Sequence, residues 1–248
     1  MRNRAKQYPH FILDNKDVKT LRKEVQKPYY KEELAAFYIL RPLSIYISRF
    51  IASKTSISAN NLTATMVIIA FISPILLFLL NNILWLFSVT IFVYYVIYTL
   101  DVIDGEVARI KKTTSLYGAY LDSYLWVLLP FYYVVYFYKV YDLLHFNKTI
   151  LFLIAGNYWW TLFIEMNNRL YIKNTEANSK ASSMILMERV IELSFGKPWI
   201  IIYFPILYAI DAYLLNIYVY IYASLYLVKN IYITIISIIK TRREGYGL

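Results

Sequence analysis

Three aspartates stand at the joint between two apolar runs. Asp101 and Asp104 lie in DVIDGEVAR, and Asp122 lies in GAYLD. On a helix turning roughly 100° per residue, Asp101, Asp104, Gly105, Ala108 and Arg109 share one face within an arc of about 140°. Val102, Ile103, Glu106 and Val107 point elsewhere. Gly118 and Asp122, four residues apart, repeat the arrangement on the next helix. If those helices pack antiparallel, three carboxylates converge. Left unneutralised in a low-dielectric setting they repel strongly. A hard divalent cation with oxygen ligands, Mg²⁺ or Mn²⁺, removes the conflict, and Mg²⁺ is the usual choice where phosphates are also bound. The small residues allow a substrate to approach the backbone closely, and Arg109 can take a phosphate oxygen. The plainer alternative is that the acids pair with Arg109, Lys111 and Lys112 as a positioning device. Three aspartates on two glycine-marked faces weigh against it.

The elements that position these residues belong to a membrane chain. Of 248 residues, 59% are hydrophobic and 17% charged, where soluble domains carry about 25% charged residues. Apolar runs long enough to span a bilayer fall at 62–80, 84–108, 116–139, 149–168, 198–215 and 217–239. Ahead of them, RPLSIYISRFIASK (41–54) places Leu43, Ile47, Phe50 and Ile51 at helical spacing, with Ser44, Ser48, Arg49 and Lys54 taking much of the other side. The expected fold is an all-α integral membrane protein: six transmembrane helices preceded by an amphipathic interfacial helix. It divides into an N-terminal segment, 1–55, and a six-span domain, 56–248.

Charge sets the expected orientation. Lys and Arg concentrate in 1–55, in the 2–3 and 4–5 loops and at the C-terminus, while the opposite loops are poor in them. The positive-inside rule places both termini and the aspartates on the cytoplasmic side, with the plasma membrane as the expected location. The same rule accounts for the net charge of +10, so nucleic acid is not an expected partner. The N-terminus lacks the apolar core of a cleaved signal peptide. Without cysteine there is neither a disulfide nor a thiolate metal site. His10 and His145 lie away from the acidic cluster in sequence. The many tyrosines are expected to pack within spans or to sit in interface belts.

The spacing Asp101-x2-Asp104-Gly105-x2-Ala108-Arg109-x8-Gly118-x3-Asp122-x3-Trp126 resembles the signature of the CDP-alcohol phosphotransferase family (also called CDP-alcohol phosphatidyltransferases), D-x2-D-G-x2-A-R-x8-G-x3-D-x3-D. Every position but the last agrees. SANNLTAT (58–65) is similar to that family's lead into its first span, with Asn60, Leu62 and Thr63 kept and Ala59 replacing proline. The resemblance implies transfer of a phospho-alcohol from a CDP-linked donor to an alcohol or phosphate acceptor, with release of CMP, in a homodimer among membrane lipids. It implies that Asp101, Asp104 and Asp122 ligate Mg²⁺ or Mn²⁺. It further implies that Asp101, Gly105, Ala108, Arg109 and Gly118 form the CDP pocket, with Asn60 and Thr63 near the CDP group.

Trp126 departs from that pattern. The family's fourth aspartate is its general base, and an indole cannot accept a proton. Three readings follow. Another group acts as base, Glu165 in WWTLFIEMNNR being a candidate, although an i,i+4 ion pair with Arg169 is its plainer role. Alternatively, the acceptor is already ionised, as a phosphate is. Or the chain has lost catalysis and binds nucleotide or lipid as a membrane scaffold.

Overall fold

A computed structural model of the chain describes residues 7–29, 32–171 and 197–245. Within some helices the side chains of Ser123, Trp126, Val127, residues 161–171, residues 197–199 and residues from 236 onward lie outside that description. The described residues are mostly helical, with no strand among them. The helices are α1 (Lys16–Val25), α2 (Arg41–Lys54), α3 (Ala59–Leu79), α4 (Ile83–Lys111), α5 (Leu116–Leu143), α6 (Thr149–Tyr171), α7 (Lys197–Ile210) and α8 (Ala212–Gly245). A π-helical turn, Ala36–Leu40, leads into α2.

Among the described residues three helices are long and apolar enough to cross a membrane: Ala59–Leu79, Ile83–Lys111 and Ala212–Ile235. The expected boundary between the last two spans is displaced. The chain breaks at Asp211, not at 216, because Asp211 caps both neighbours. Its N–H donates to the Leu207 carbonyl at 2.8 Å, and its Oδ1 accepts the Tyr213 N–H at 2.8 Å. Asparagine and serine start α1, α3 and α5 by the same means. Asn15 Oδ1 accepts from Val18 N, Ser58 Oγ from Asn61 N, and Ser115 Oγ from Gly118 N.

Helix α3 is the centre of the arrangement. It packs against both α4 and α5, more extensively than those two pack against each other. The main core is aromatic: Tyr132, Tyr133, Tyr136 and Phe137 of α5 are buried against Phe87 of α4, Phe204 of α7 and Tyr222 of α8. Tyr133 stacks on Tyr158 of α6 at 5.6 Å. A smaller cluster of Ala59, Leu62, Ile103 and Val107 closes α3 onto the end of α4.

The N-terminal segment is tied to the bundle by charge. Glu106 of α4 is fully buried. Its Oε1 accepts from Gln26 Nε2 at 2.8 Å, Ser44 Oγ at 2.8 Å and Arg41 Nη1 at 3.1 Å. Its Oε2 accepts from Ser48 Oγ at 2.8 Å. Helix α2 is thus turned with its serines inward, while Leu43, Ile47 and Phe50 face out. Arg22 of α1 is also buried. It forms a fork with Asp14 (2.8 Å to each oxygen) and donates to the Arg41 and Pro42 carbonyls at 2.7 Å.

Candidate functional site

Where α3, α4, α5 and the N-terminal segment meet, they enclose a cavity of about 590 Å³. From α3 it is lined by Ala59, Asn60 and Thr63. From α4 come Asp101, Asp104, Gly105, Ala108 and Arg109, and from α5 Gly118 and Asp122. The sequence-selected residues Asn60, Thr63, Asp101, Asp104, Gly105, Ala108, Arg109, Gly118 and Asp122 therefore share one space. The one-face reading of Asp101 to Arg109 describes how α4 presents them. Two details differ. Val102 also touches the cavity, because its wall extends past the polar arc. The expected antiparallel packing of the two aspartate-bearing helices is modest: α4 and α5 each pack more extensively on α3 than on one another, and α3 brings the expected Asn60 and Thr63 to the same space.

The starts of α3 and α5 are locked together. Ser115 Oγ, besides capping α5, donates to Asn60 Oδ1 at 3.2 Å. This brings Gly118 so close to Asn60 that a Cβ there would stand 2.7 Å from Asn60 Oδ1. Glycine is needed for that close approach. On the facing side, the Thr63 hydroxyl donates to Asp104 Oδ2 at 2.6 Å. Arg109 lies along α4 over Gly105, and its Nε donates to the Val25 carbonyl. One edge of its guanidinium therefore holds the end of α1, in addition to lining the cavity.

Acids outnumber bases around the space. Glu32, Glu33, Asp101, Asp104 and Asp122 face Lys27, Arg41 and Arg109. Arg41 is already paired, through its Nε with Glu32 and at 3.1 Å with Glu106. Asp101 and Asp104 on α4 share this space with Asp122 on α5, so like charges stand on two of its walls. Among the described residues, no group of three or more His, Cys, Asp or Glu side chains, Asp101, Asp104 and Asp122 included, stands close enough to hold a metal ion by itself. An open set of carboxylates around a cavity fits Mg²⁺, which keeps several waters and usually takes one or two carboxylates together with substrate phosphates.

Several lining residues carry no signal in the motif. Lys27, Glu32, Glu33 and Arg41 come from the N-terminal segment, 1–55, whose charges bear in the sequence only on orientation, and its docking through Glu106 and Arg22 brings them in. Glu106 itself could have been suspected, since a charge inside a predicted span requires a partner. Tyr98 was also within reach of the sequence, being one turn before Asp101 on the same face. Glu165 lies on α6 where side chains fall outside the described residues, as does the Trp126 side chain on α5.

A model of the CDP-alcohol phosphatidyltransferase family matches residues 56–241. No curated protein matches the chain.

Proposed function

The chain belongs to the CDP-alcohol phosphatidyltransferase family, and from that premise we propose that it transfers a phospho-alcohol from a CDP-linked donor to an acceptor, releasing CMP at a membrane. The observation that carries the reading is the single cavity on which Asn60, Thr63, Asp101, Asp104, Gly105, Ala108, Arg109, Gly118 and Asp122 converge. Its volume lies within the usual range for small-molecule sites, about 300–1,000 Å³.

In this reading Asp101, Asp104 and Asp122 hold Mg²⁺ or Mn²⁺. When bound, the cation neutralises charge developing on the diphosphate. The chain's own residues orient the donor. Thr63 fixes the Asp104 carboxylate, and Gly105, Ala108 and Gly118 leave room for the nucleotide beside the backbone. Asn60 offers an amide to the cytidine or its ribose, and the outer nitrogens of Arg109 offer donors to a phosphate oxygen.

We read the membrane domain as six spans. Helices α5 and α6 support this with 28 and 23 residues, about 42 and 35 Å of helix at 1.5 Å per residue. The outward Leu43, Ile47 and Phe50 of α2 suit a helix lying in the interface. The basic termini and loops favour a cytoplasmic site. The family resemblance adds a homodimer.

One residue favours a second reading: Trp126, where the signature has its base, is what a binding scaffold without turnover would show. The experiment incubates purified protein with Mg²⁺ or Mn²⁺ and a panel of CDP-alcohols and acceptors, then measures CMP. Release that disappears in D101N and D104N supports the transferase. No release across the panel, with cytidine nucleotide still bound, supports the scaffold.

A further inference from the structure

Two of the cavity's carboxylates, Glu32 and Glu33, lie outside the family-matched residues 56–241. Their situations differ. Glu32 is the ion-pair partner of Arg41. Glu33 is exposed, and its Oε2 accepts the Tyr98 hydroxyl at 2.6 Å. Tyr98 stands one helical turn before Asp101, so both side chains emerge on the same face of α4, and both line the cavity. The tyrosine therefore holds Glu33 over the aspartate face.

The backbone beneath Glu33 is well held. Its carbonyl accepts the Phe37 N–H at 2.9 Å, at the start of the π-helical turn that runs into α2. Helix α2 is in turn anchored through Arg41, Ser44 and Ser48 to the buried Glu106. Titratable and charged groups that share the cavity with Glu33 are Tyr94, Tyr98, Asp101, Asp104 and Arg109 on α4, Asp122 on α5, Arg41 of α2, and Lys27 and Glu32 on its own segment.

Transfer to a hydroxyl needs a proton acceptor, and Trp126 cannot be one. We propose that Glu33, delivered by the N-terminal segment and aimed by Tyr98, is the general base that replaces the aspartate missing at position 126. The inference rests on the transferase reading. As the acceptor oxygen bonds to the phosphorus bearing the alcohol, its proton passes to the Glu33 carboxylate. The bond from that phosphorus to the bridging oxygen breaks, and CMP leaves with the electron pair. Glu33 then returns the proton to water. Tyr98 is a positioning residue in this step, and a plain clasp between Glu33 and Tyr98 would predict no effect on proton transfer.

The test compares the wild type with E33Q, E33D, Y98F and the double variant E33Q/W126D. It follows CMP release against pH and against donor concentration, with thermal melts in detergent as a folding control. E33Q should lose roughly 10²–10⁴-fold in kcat with the donor KM unchanged, and the acidic limb of its pH profile should disappear. E33D should keep part of the rate, Y98F should shift the acidic limb, and an aspartate at 126 should restore E33Q at least about tenfold, within the general-base range. E33Q at the wild-type rate, or slower with the acidic limb intact, overturns the role of Glu33 and leaves the transferase standing. A wild type that releases no CMP from any donor overturns the transferase reading, and the base falls with it.

Discussion

The Thr63 hydroxyl donates to Asp104 Oδ2 at 2.6 Å, across 41 residues of sequence. This bond joins the first turn of α3 to the acidic face of α4. It also fixes which way one carboxylate at the cavity points. Partners of this kind that orient a metal's ligands typically contribute 10–100-fold to affinity or activity. T63V should therefore raise the Mg²⁺ concentration for half-maximal CMP release by roughly that factor, with only a small shift in melting temperature. A titration of rate against Mg²⁺ checks it.

Glu106 carries a structural load separate from the cavity. Four donors converge on a carboxylate with no solvent exposure. E106A leaves Arg41 buried beside an emptied position, and breaking such a pair costs about 3–5 kcal/mol. S48A removes a single donor and should cost about 1–3 kcal/mol. Unfolding in detergent, followed by denaturant titration, should rank the two in that order. Limited proteolysis should cut the N-terminal segment sooner in E106A.

Gly118 separates function from stability. Alanine there meets Asn60 Oδ1, the tip of a side chain that can swing aside, and helix interiors favour alanine over glycine by roughly 0.5–1 kcal/mol. G118A should fold with an unchanged or slightly higher melting temperature. It should nonetheless raise the KM for the CDP donor about tenfold, near 1.4 kcal/mol, because the displaced Asn60 loses Ser115 and enters the cavity. Donor-dependent kinetics beside a melt check both halves.

Asp14 links acidity to the docking of α1. Burial raises its carboxyl pKa, but hydrogen bonds from Arg22, the Phe11 N–H and Tyr46 outweigh this and hold it below the ordinary carboxylate value. A group depressed in the folded state contributes stability that is present above its unfolded pKa, about 3.9 for Asp. That contribution is lost as pH falls through the lower folded value. The difference in melting temperature between wild type and D14N should stay level from about pH 8 to pH 5, then shrink below about pH 4. Scanning both proteins across that range tests it.

Much of the site was legible because its chemistry is local. Asp101, Asp104, Gly105, Ala108 and Arg109 share a face through helical periodicity alone, and Gly118 with Asp122 does the same one helix later. The break at Asp211 was not, since a long apolar run conceals where a single aspartate caps two helices. Glu106 read as pointing away from the aspartates, and it does so, but its destination depends on α2.

What the sequence alone determined is membership of a membrane-protein family and the gathering of its aspartates on one helix face, because spacing along a helix sets direction and apolar length sets a span. Only the tertiary structure decided that α4 and α5 pack chiefly on α3 rather than on one another, and that the N-terminal segment brings Lys27, Glu32, Glu33 and Arg41 to the cavity. Those relations rest on bonds between residues far apart in the chain, such as Gln26 with Glu106 and Glu33 with Tyr98. No periodicity records such bonds, because each partner is an ordinary polar residue until the packing of the helices brings it to the other.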